Sequence, residues 1–198
     1  MGNLHKTALN DHHVKLGANM VEFAGWEMPL HYESGIVQEH LATRKEAGLF
    51  DISHMGRFII RGKDALAFLQ YVLSNNAASL EEEESLYTMI PNEKGGVIDD
   101  AYLYRFVPDE YLLVVNASNR EKDFAHLEAM RKKFGQVELI DRTKELAMLS
   151  LQGPNAKALM LDLISEGHLP EPMRNYLSTA QINGSQVLIA RTGYTGEP

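Results

Sequence analysis

The sequence predicts an α+β fold: a ferredoxin-like split β-α-β unit, an antiparallel sheet covered by two helices, inserted into a second α+β domain. Three observations point there. Between Ile52 and Asp141, strand-like and helix-like stretches follow in the order β-α-β-β-β-α-β. Further strand and helix patterns lie on both sides, and residues 1–51 and 142–198 are read together as one discontinuous domain around residues 52–141. The 198 residues, 44% hydrophobic and 23% charged, suffice for one or two domains with a sizeable core.

In chain order, "EFAGWEMPLHY" carries Gly and Pro and reads as loop with a short strand. Gly35 to Phe50 has a helical period, with Val37, Leu41 and Arg44 on one side, Ser34 as candidate cap and Gly48 as stop. "RFIIRG" is a short strand. "KDALAFLQYVLSNN" is amphipathic through Leu66, Leu69, Val72 and Leu73. Glu81 to Glu84 reads as a solvated loop. "LYTMI" is a strand and "PNEKGG" its turn. "VIDDAYLYRF" and "YLLVVN" are strands joined by "VPDE". "SNREKDFAHLEAMRKKF" opens with Ser118 and Glu121 at capping-box spacing and turns Phe124, Leu127 and Phe134 inward. "QVELID" closes the set. Beyond it lie the strands "LAMLSL" and "SQVLIAR", with a helix starting near Pro154 and a Pro-rich stretch from Leu169 to Pro172 between them.

Composition excludes several classes. The net charge of -8 argues against a nucleic-acid surface, which needs a positive field. With no cysteine there is no disulfide, thiol catalysis or Cys-ligated metal. The eight histidines lack metal-ligand spacing, and the neighbours His12 and His13 cannot share one helix face, so no metal is expected. No apolar run approaches the ~20 residues that span a membrane. No signal peptide is visible, and "MGNLHKT" has Lys6 where a myristoylation signal has Ser or Thr. A cytoplasmic protein without membrane or nucleic-acid partners is expected.

The adjacent Asp99 and Asp100 interrupt an otherwise apolar strand straight after Gly95-Gly96. Asp is depleted in strands, and burying a carboxylate without partners is expensive. Side chains alternate along a strand. One face carries Val97, Asp99, Ala101, Leu103 and Arg105; the other carries Ile98, Asp100, Tyr102, Tyr104 and Phe106. If Ile90 pairs with Val97, Tyr87 lies opposite Asp100. If Phe106 pairs with Tyr111, Asn116 lies opposite Ala101. Asp100 is then ringed by Tyr87, Tyr102, Tyr104 and Asn116, a setting suited to a developing cation or a proton. Asp99, with Arg105 on its face, is expected to tolerate substitution better. The plain alternative is that both aspartates cap the Gly-Gly turn.

The stretches "MVEFAGWEMPLHY", "GLFDISHMG", "YTMIPNEKGGVIDDAYLYR", "YLLVVNASNREKD", "LSLQGPNA" and "RTGYTGE" together resemble the aminomethyltransferases, the T-proteins of the glycine cleavage system, over the whole chain. The resemblance implies transfer of the methylene of an aminomethyl group, carried on the lipoyl arm of H-protein, to tetrahydrofolate with release of ammonia. It implies a catalytic role for Asp100, the second Asp of the Gly-Gly-x-x-Asp-Asp motif. It also implies folate contacts from Met55, Tyr87, Asp100, Tyr104, Val114, Asn116 and Tyr194. Core packing is the alternative for each of these singly, above all for Met55 and Val114. The family's C-terminal β-barrel has no counterpart before Pro198, so an N-terminal fragment is expected, with its sheet edge open beyond "SQVLIAR". Two other readings remain. A folate-binding relative that repairs iron–sulfur enzymes carries a Cys near the "TGYTGE" position, which this sequence lacks. A non-catalytic folate-binding or regulatory module is the second.

Overall fold

The computed structural model describes residues 4–170 and 175–197. The first three residues of "MGNLHKT" and the end of the Pro-rich stretch after Leu169 lie outside the described residues. The chain is a mixed α+β protein with several sheets. It forms two compact units, one of Met1–His54, Lys144–Met160 and Gly193–Pro198, the other of Met55–Thr143 and Leu161–Thr192. This division places Leu161–Thr192 with the middle segment, where the sequence alone groups it with the flanks.

The second unit carries β1 (Gly56–Arg61), α1 (Ala65–Val72), β2 (Glu84–Pro91), β3 (Val97–Val107), β4 (Glu110–Val115), α2 (Arg120–Arg131) and β5 (Glu138–Asp141). The five strands make one antiparallel sheet in the order β2-β3-β4-β1-β5. Alternation gives the sheet a core face of Phe58, Ile60, Leu86, Ile90, Ala101, Leu103, Leu113 and Val115, all buried. Phe68, Leu69 and Leu127 from the two helices close over it. Phe124 meets Phe58 at 5.1 Å between ring centroids, and Phe134 meets Phe68 at 5.5 Å, both edge-on.

Two helix expectations need correction. In α1 the buried stripe is Ala65, Phe68, Leu69 and Val72, while Leu66 is 38% exposed. The expected Leu69, Val72 and Leu73 are buried; only Leu66 falls off the stripe, and Phe68 takes the core position beside Leu69. In α2 the Ser118–Glu121 capping box does not form. Ala117–Asn119 makes a 3-10 turn, Asn119 is the N-cap, and no side chain caps the helix. The Asn119 side chain has another acceptor, described below.

The strands β6 (Ile164–Gly167), β7 (Leu177–Ile182) and β8 (Ser185–Ala190) form a small antiparallel sheet of the same unit. Its lead-in runs along the outer edge of β2: Ser85 N donates to Asn175 O at 2.8 Å and Leu177 N to Glu83 O at 2.7 Å. Farther along that edge, Ser74 N donates to Met89 O at 2.9 Å, Met89 N to Ser74 Oγ at 3.0 Å, and Asn75 Nδ2 to Tyr87 O at 2.9 Å.

In the first unit, "EFAGWEMPLHY", expected as loop with a short strand, belongs to a hairpin. Strands Asn19–Phe23 and Trp26–His31 pair antiparallel across Ala24-Gly25, both with positive φ (51° and 80°). That is the two-residue turn whose twist suits a hairpin, reached with Ala where Asn or Asp is usual. Pro29 is tolerated because the short strand His5–Lys6 pairs only with Trp26 and Glu27, so no partner on that side needs its missing N–H. The next helix is Ile36–Lys45, with Gly35 as N-cap and no side-chain cap from Ser34. Its expected apolar side is exposed, Val37 most of all, and its buried residue is Thr43. Gly48 opens the strand Gly48–Asp51 instead of stopping the helix; a Cβ there would lie 2.4 Å from Thr43 Oγ1. That strand pairs with Leu149–Gln152. Behind it, the buried His13 ring bridges Asp51 Oδ2 at 3.0 Å and the Tyr32 hydroxyl at 2.8 Å.

These burial differences set an expected stability contrast. Leu113→Ala, at a fully buried sheet position, is expected to cost about 2–5 kcal/mol in urea unfolding. Leu66→Ala is expected to cost under about 1 kcal/mol, since that side chain is partly in water and Ala favours the helix. Equal losses would contradict the α1 face described above.

Candidate active site

Opposite its helix-covered face, the five-stranded sheet presents an aromatic row. Tyr87 of β2 meets Tyr102 of β3 at 5.7 Å between centroids, Tyr102 meets Tyr104 at 5.8 Å, and Tyr104 stacks on Phe106 at 6.2 Å. Asp100 shares this face at the end of the row nearest the Gly95-Gly96 turn, as alternation along β3 requires.

The registers differ from those expected. Ile90 pairs with Asp99 and Tyr87 with Tyr102, because a bulge between Ile90 and Pro91 absorbs the turn. The shift is an even number of residues, so every side chain keeps its face. Across the other hairpin, Ala101 pairs with Val115, one step from expectation, after an irregularity between Tyr104 and Val107. Extending that ladder one residue brings Asn116 level with Asp100. The β1–β4 ladder, which pairs Gly56 with Val115, likewise brings Met55 level with Asn116. Val114 pairs with Tyr102 on the aromatic side. Gly56 admits no side chain, since a Cβ would stand 2.5 Å from Val115 Cγ2 and 2.9 Å from Arg120 Cγ.

Asn116 ties the two aspartates together. Its Nδ2 donates to Asp100 Oδ1 at 3.0 Å and to Asp99 Oδ1 at 3.0 Å, and its backbone N donates to Asp99 Oδ2 at 3.1 Å. Asn119 Nδ2 adds a 2.7 Å bond to Asp99 Oδ1. Asp99 is buried and does not face Arg105 as an ion pair: Arg105 donates to Leu80 O at 2.6 Å and lies over the Tyr111 ring. Burial works to raise the Asp99 pKa, but its bonds to the Asn116 side chain, Asn119, Asp123 and the Asn116 backbone together hold the carboxyl below its ordinary range. Asp123, on α2, is pushed up to about 8, first by burial and then by the adjacent Asp99.

Tyr87 and Tyr104 keep their protons at physiological pH. The neighbouring Asp100 carboxyl, with burial second, raises the Tyr87 pKa. Burial pushes Tyr104 up to about 12 against the lowering bond to Thr192. The face thus joins a carboxylate, a phenol donor, an amide donor and flat rings. It can hold a planar heterocycle and stabilise positive charge next to it.

Of the expected residues, Met55, Tyr87, Asp100, Tyr104, Val114 and Asn116 belong to this unit. Tyr194 belongs to the first unit and its side chain is almost fully exposed. Among the described residues no group of His, Asp and Glu is arranged to hold a metal ion. The expectations missed Asn119 and Asp123. The signal for Asp123 was available: it lies four residues before Leu127, a carboxylate on the apolar stripe of a helix.

The family model of the GCVT N-terminal domain matches residues 9–198, and the chain belongs to that family. It is 50% identical to an aminomethyltransferase of Thermus thermophilus, over 98% of this chain and 55% of that protein. It is 42% identical to an aminomethyltransferase of Desulfitobacterium hafniense, over 100% of this chain and 53% of that protein. Its structure resembles the crystal structure of the glycine cleavage system aminomethyltransferase T from Bartonella henselae, with a TM-score of 0.86, 40% identity, and coverage of 98% of this chain and 52% of that one. The chain therefore spans about half the length of these relatives. A heterotetrameric sarcosine oxidase from Corynebacterium shares the fold at 18% identity and a TM-score of 0.55, over 77% of this chain and 75% of that one.

The network sets its own ranking of the two aspartates for stability. Asp99→Asn is expected to cost about 1–3 kcal/mol at pH 7, because the Asn116 and Asn119 donors lose a charged acceptor in a buried place. Asp100→Asn, on the open face, is expected to cost less than half as much. Because the folded pKa of Asp99 is depressed, its contribution is present above its unfolded value of about 3.9 and is lost as pH falls through the folded pKa. Urea midpoints of both variants between pH 3 and 7 would test the ranking and the sign.

Proposed function

We propose that this chain supplies the folate-binding, carboxylate-bearing part of a glycine cleavage aminomethyltransferase. The reaction moves the methylene of the aminomethyl group on lipoylated H-protein to tetrahydrofolate. The carbon–sulfur bond to the lipoyl arm breaks, the carbon–nitrogen bond breaks with release of ammonia, and two carbon–nitrogen bonds to the folate form. The observation that carries the reading is the Asp100 carboxyl, held by Asn116 at the end of an aromatic row that begins with Tyr87. Methylene transfer passes through iminium-like positive charge beside the pterin ring. A fixed carboxylate meets that charge without reorganising and orients the folate nitrogens. The exposed ring of Tyr87 would form one wall of the pterin slot beside Met55 and Asn116, with Tyr104 and Val114 as its buried support. The role of Tyr194 rests on the sequence resemblance alone.

The inserted ferredoxin-like arrangement belongs to the same proposal. The sheet order β5-β1-β4-β3 with antiparallel neighbours is what a split β-α-β unit has, and β2 adds one strand outside β3. No helix is long and apolar enough to cross a membrane among the described residues. We place the protein in the cytoplasm, where tetrahydrofolate and H-protein would meet it.

Tetrahydrofolate is expected to bind the protein, read by calorimetry. In the intact protein, Asp100→Asn is expected to lower ammonia release from aminomethylated H-protein by about 10²–10³-fold, the usual loss of one preorganised electrostatic group. Binding of tetrahydrofolate without any turnover would favour a folate-binding module, and absence of binding would overturn the proposal.

A further inference from the structure

Asp123 is a buried titratable group that the proposed chemistry does not use. It sits in the first turn of α2 with none of its surface exposed, and neither carboxyl oxygen meets an N–H or hydroxyl donor among the described residues. The ionisable group that acts on it most strongly is the buried carboxyl of Asp99. Two unprotonated carboxylates cannot share a dry site, since each would lose its water and repel the other. One proton on Asp123 resolves this, for it makes Asp123 the donor and Asp99 the acceptor. Asp99 is the natural acceptor because it already takes N–H bonds from Asn116 and Asn119.

We propose that Asp123 is a positioning residue that stays protonated in the folded protein, donates its hydrogen to Asp99, and through Asn116 holds Asp100 in place. The steps are bonded ones. Asp99 Oδ1 accepts from Asn116 Nδ2 at 3.0 Å, and the same nitrogen donates to Asp100 Oδ1 at 3.0 Å. Loss of the Asp123 proton sets a second charge against Asp99. That displaces the acceptor of Asn116 and loosens the amide that Asp100 leans on. The last link, from Asp100 to folate, rests on the reading under Proposed function; the first links do not.

The charged groups facing Asp123 are Asp99 and Asp100 from β3 and Lys122 from its own helix. The two aspartates oppose its ionisation and the lysine favours it, while Asn116 and Asn119 are neutral. Burial and the Asp99 bond together hold Asp123 up to about 8. Its contribution to stability is therefore complete below the unfolded value of about 3.9 and is lost as pH rises toward about 8.

The test is a carboxyl carbon-13 titration of the wild-type protein, with Asp123→Asn used for assignment. Asp123→Asn keeps an N–H that can point at Asp99 but does not titrate; Asp123→Ala removes the donor. One aspartate carboxyl is expected to titrate near about 8, with the Asn116 side-chain amide shifting at the same midpoint, and both changes are expected to vanish in Asp123→Asn. Tetrahydrofolate binding to the wild type is expected to weaken above that midpoint. In Asp123→Ala it is expected to be about fivefold or more weaker at pH 7, the cost of an unmet buried hydrogen bond. Asp123→Asn is expected to recover most of that loss and to bind without the high-pH decline. Titration of Asp123 below about pH 6, an Asn116 amide that ignores the titration, or equal losses in both variants would overturn the proposal. If Asp123→Ala does not fold, the wild-type and Asp123→Asn titrations still decide. If the wild type binds no tetrahydrofolate, the functional reading fails by itself, and the carboxyl and amide titrations still judge the role of Asp123.

Discussion

A buried carboxylate has to be matched donor by donor, and Asp99 imposes that condition on everything around it. Three N–H groups from Asn116 and Asn119 converge on its two oxygens. To supply them, the chain after β4 must leave the sheet in a tight turn at Ala117–Asn119 before α2 begins. Asn119, the N-cap residue of α2, turns its side-chain amide to Asp99 and caps no backbone N–H. The gain is rigidity where the sheet ends: the Asn116 amide is pinned on one side by Asp99, so its contact with Asp100 on the other side is fixed rather than sampled. A carboxylate on an open sheet face would otherwise swing with the solvent.

The two faces of one strand thus divide the electrostatics. Under the helices, Asp99 and Asp123 form a proton-sharing pair in a dry place. On the opposite side, Asp100 stands among tyrosines whose protons stay on through the physiological range. The alternation of β3 separates the buried carboxylate from the one on the aromatic face by a single residue. Neither could be moved without carrying the other to the wrong face.

That alternation is also why so much of the site was legible in the sequence. The aromatic row, the side on which Asp100 falls and the face it shares with Tyr87 follow from a period of two residues, which an even register shift leaves intact; Asn116 comes level with Asp100 only through a one-residue slip across the other hairpin. The individual pairings were not legible, because bulges at Ile90–Pro91 and Tyr104–Val107 change the count, and a bulge leaves no mark in composition. Helical reading failed differently. Val37 and Leu41 have the period of a core stripe, yet they are exposed, while Thr43 is buried. Ser118 and Glu121 have the spacing of a capping box, but the 3-10 turn at Ala117–Asn119 moves the N-cap to Asn119. Asp123 escaped because a helix can hide a carboxyl whose partner comes from a strand more than twenty residues away in sequence.

The outer edge of β2 carries one further consequence. A strand at the rim of a sheet ordinarily offers its backbone to any extended chain that passes. Here Glu83, Ser85, Tyr87 and Met89 each have a backbone group already engaged by Ser74, Asn75, Asn175 or Leu177, and Pro91 has no N–H to offer. Another protein approaching from this side cannot lengthen the sheet by adding a strand. It has to be read by side chains and shape, so recognition here is tuned by surface substitutions and is not open to any sequence able to extend.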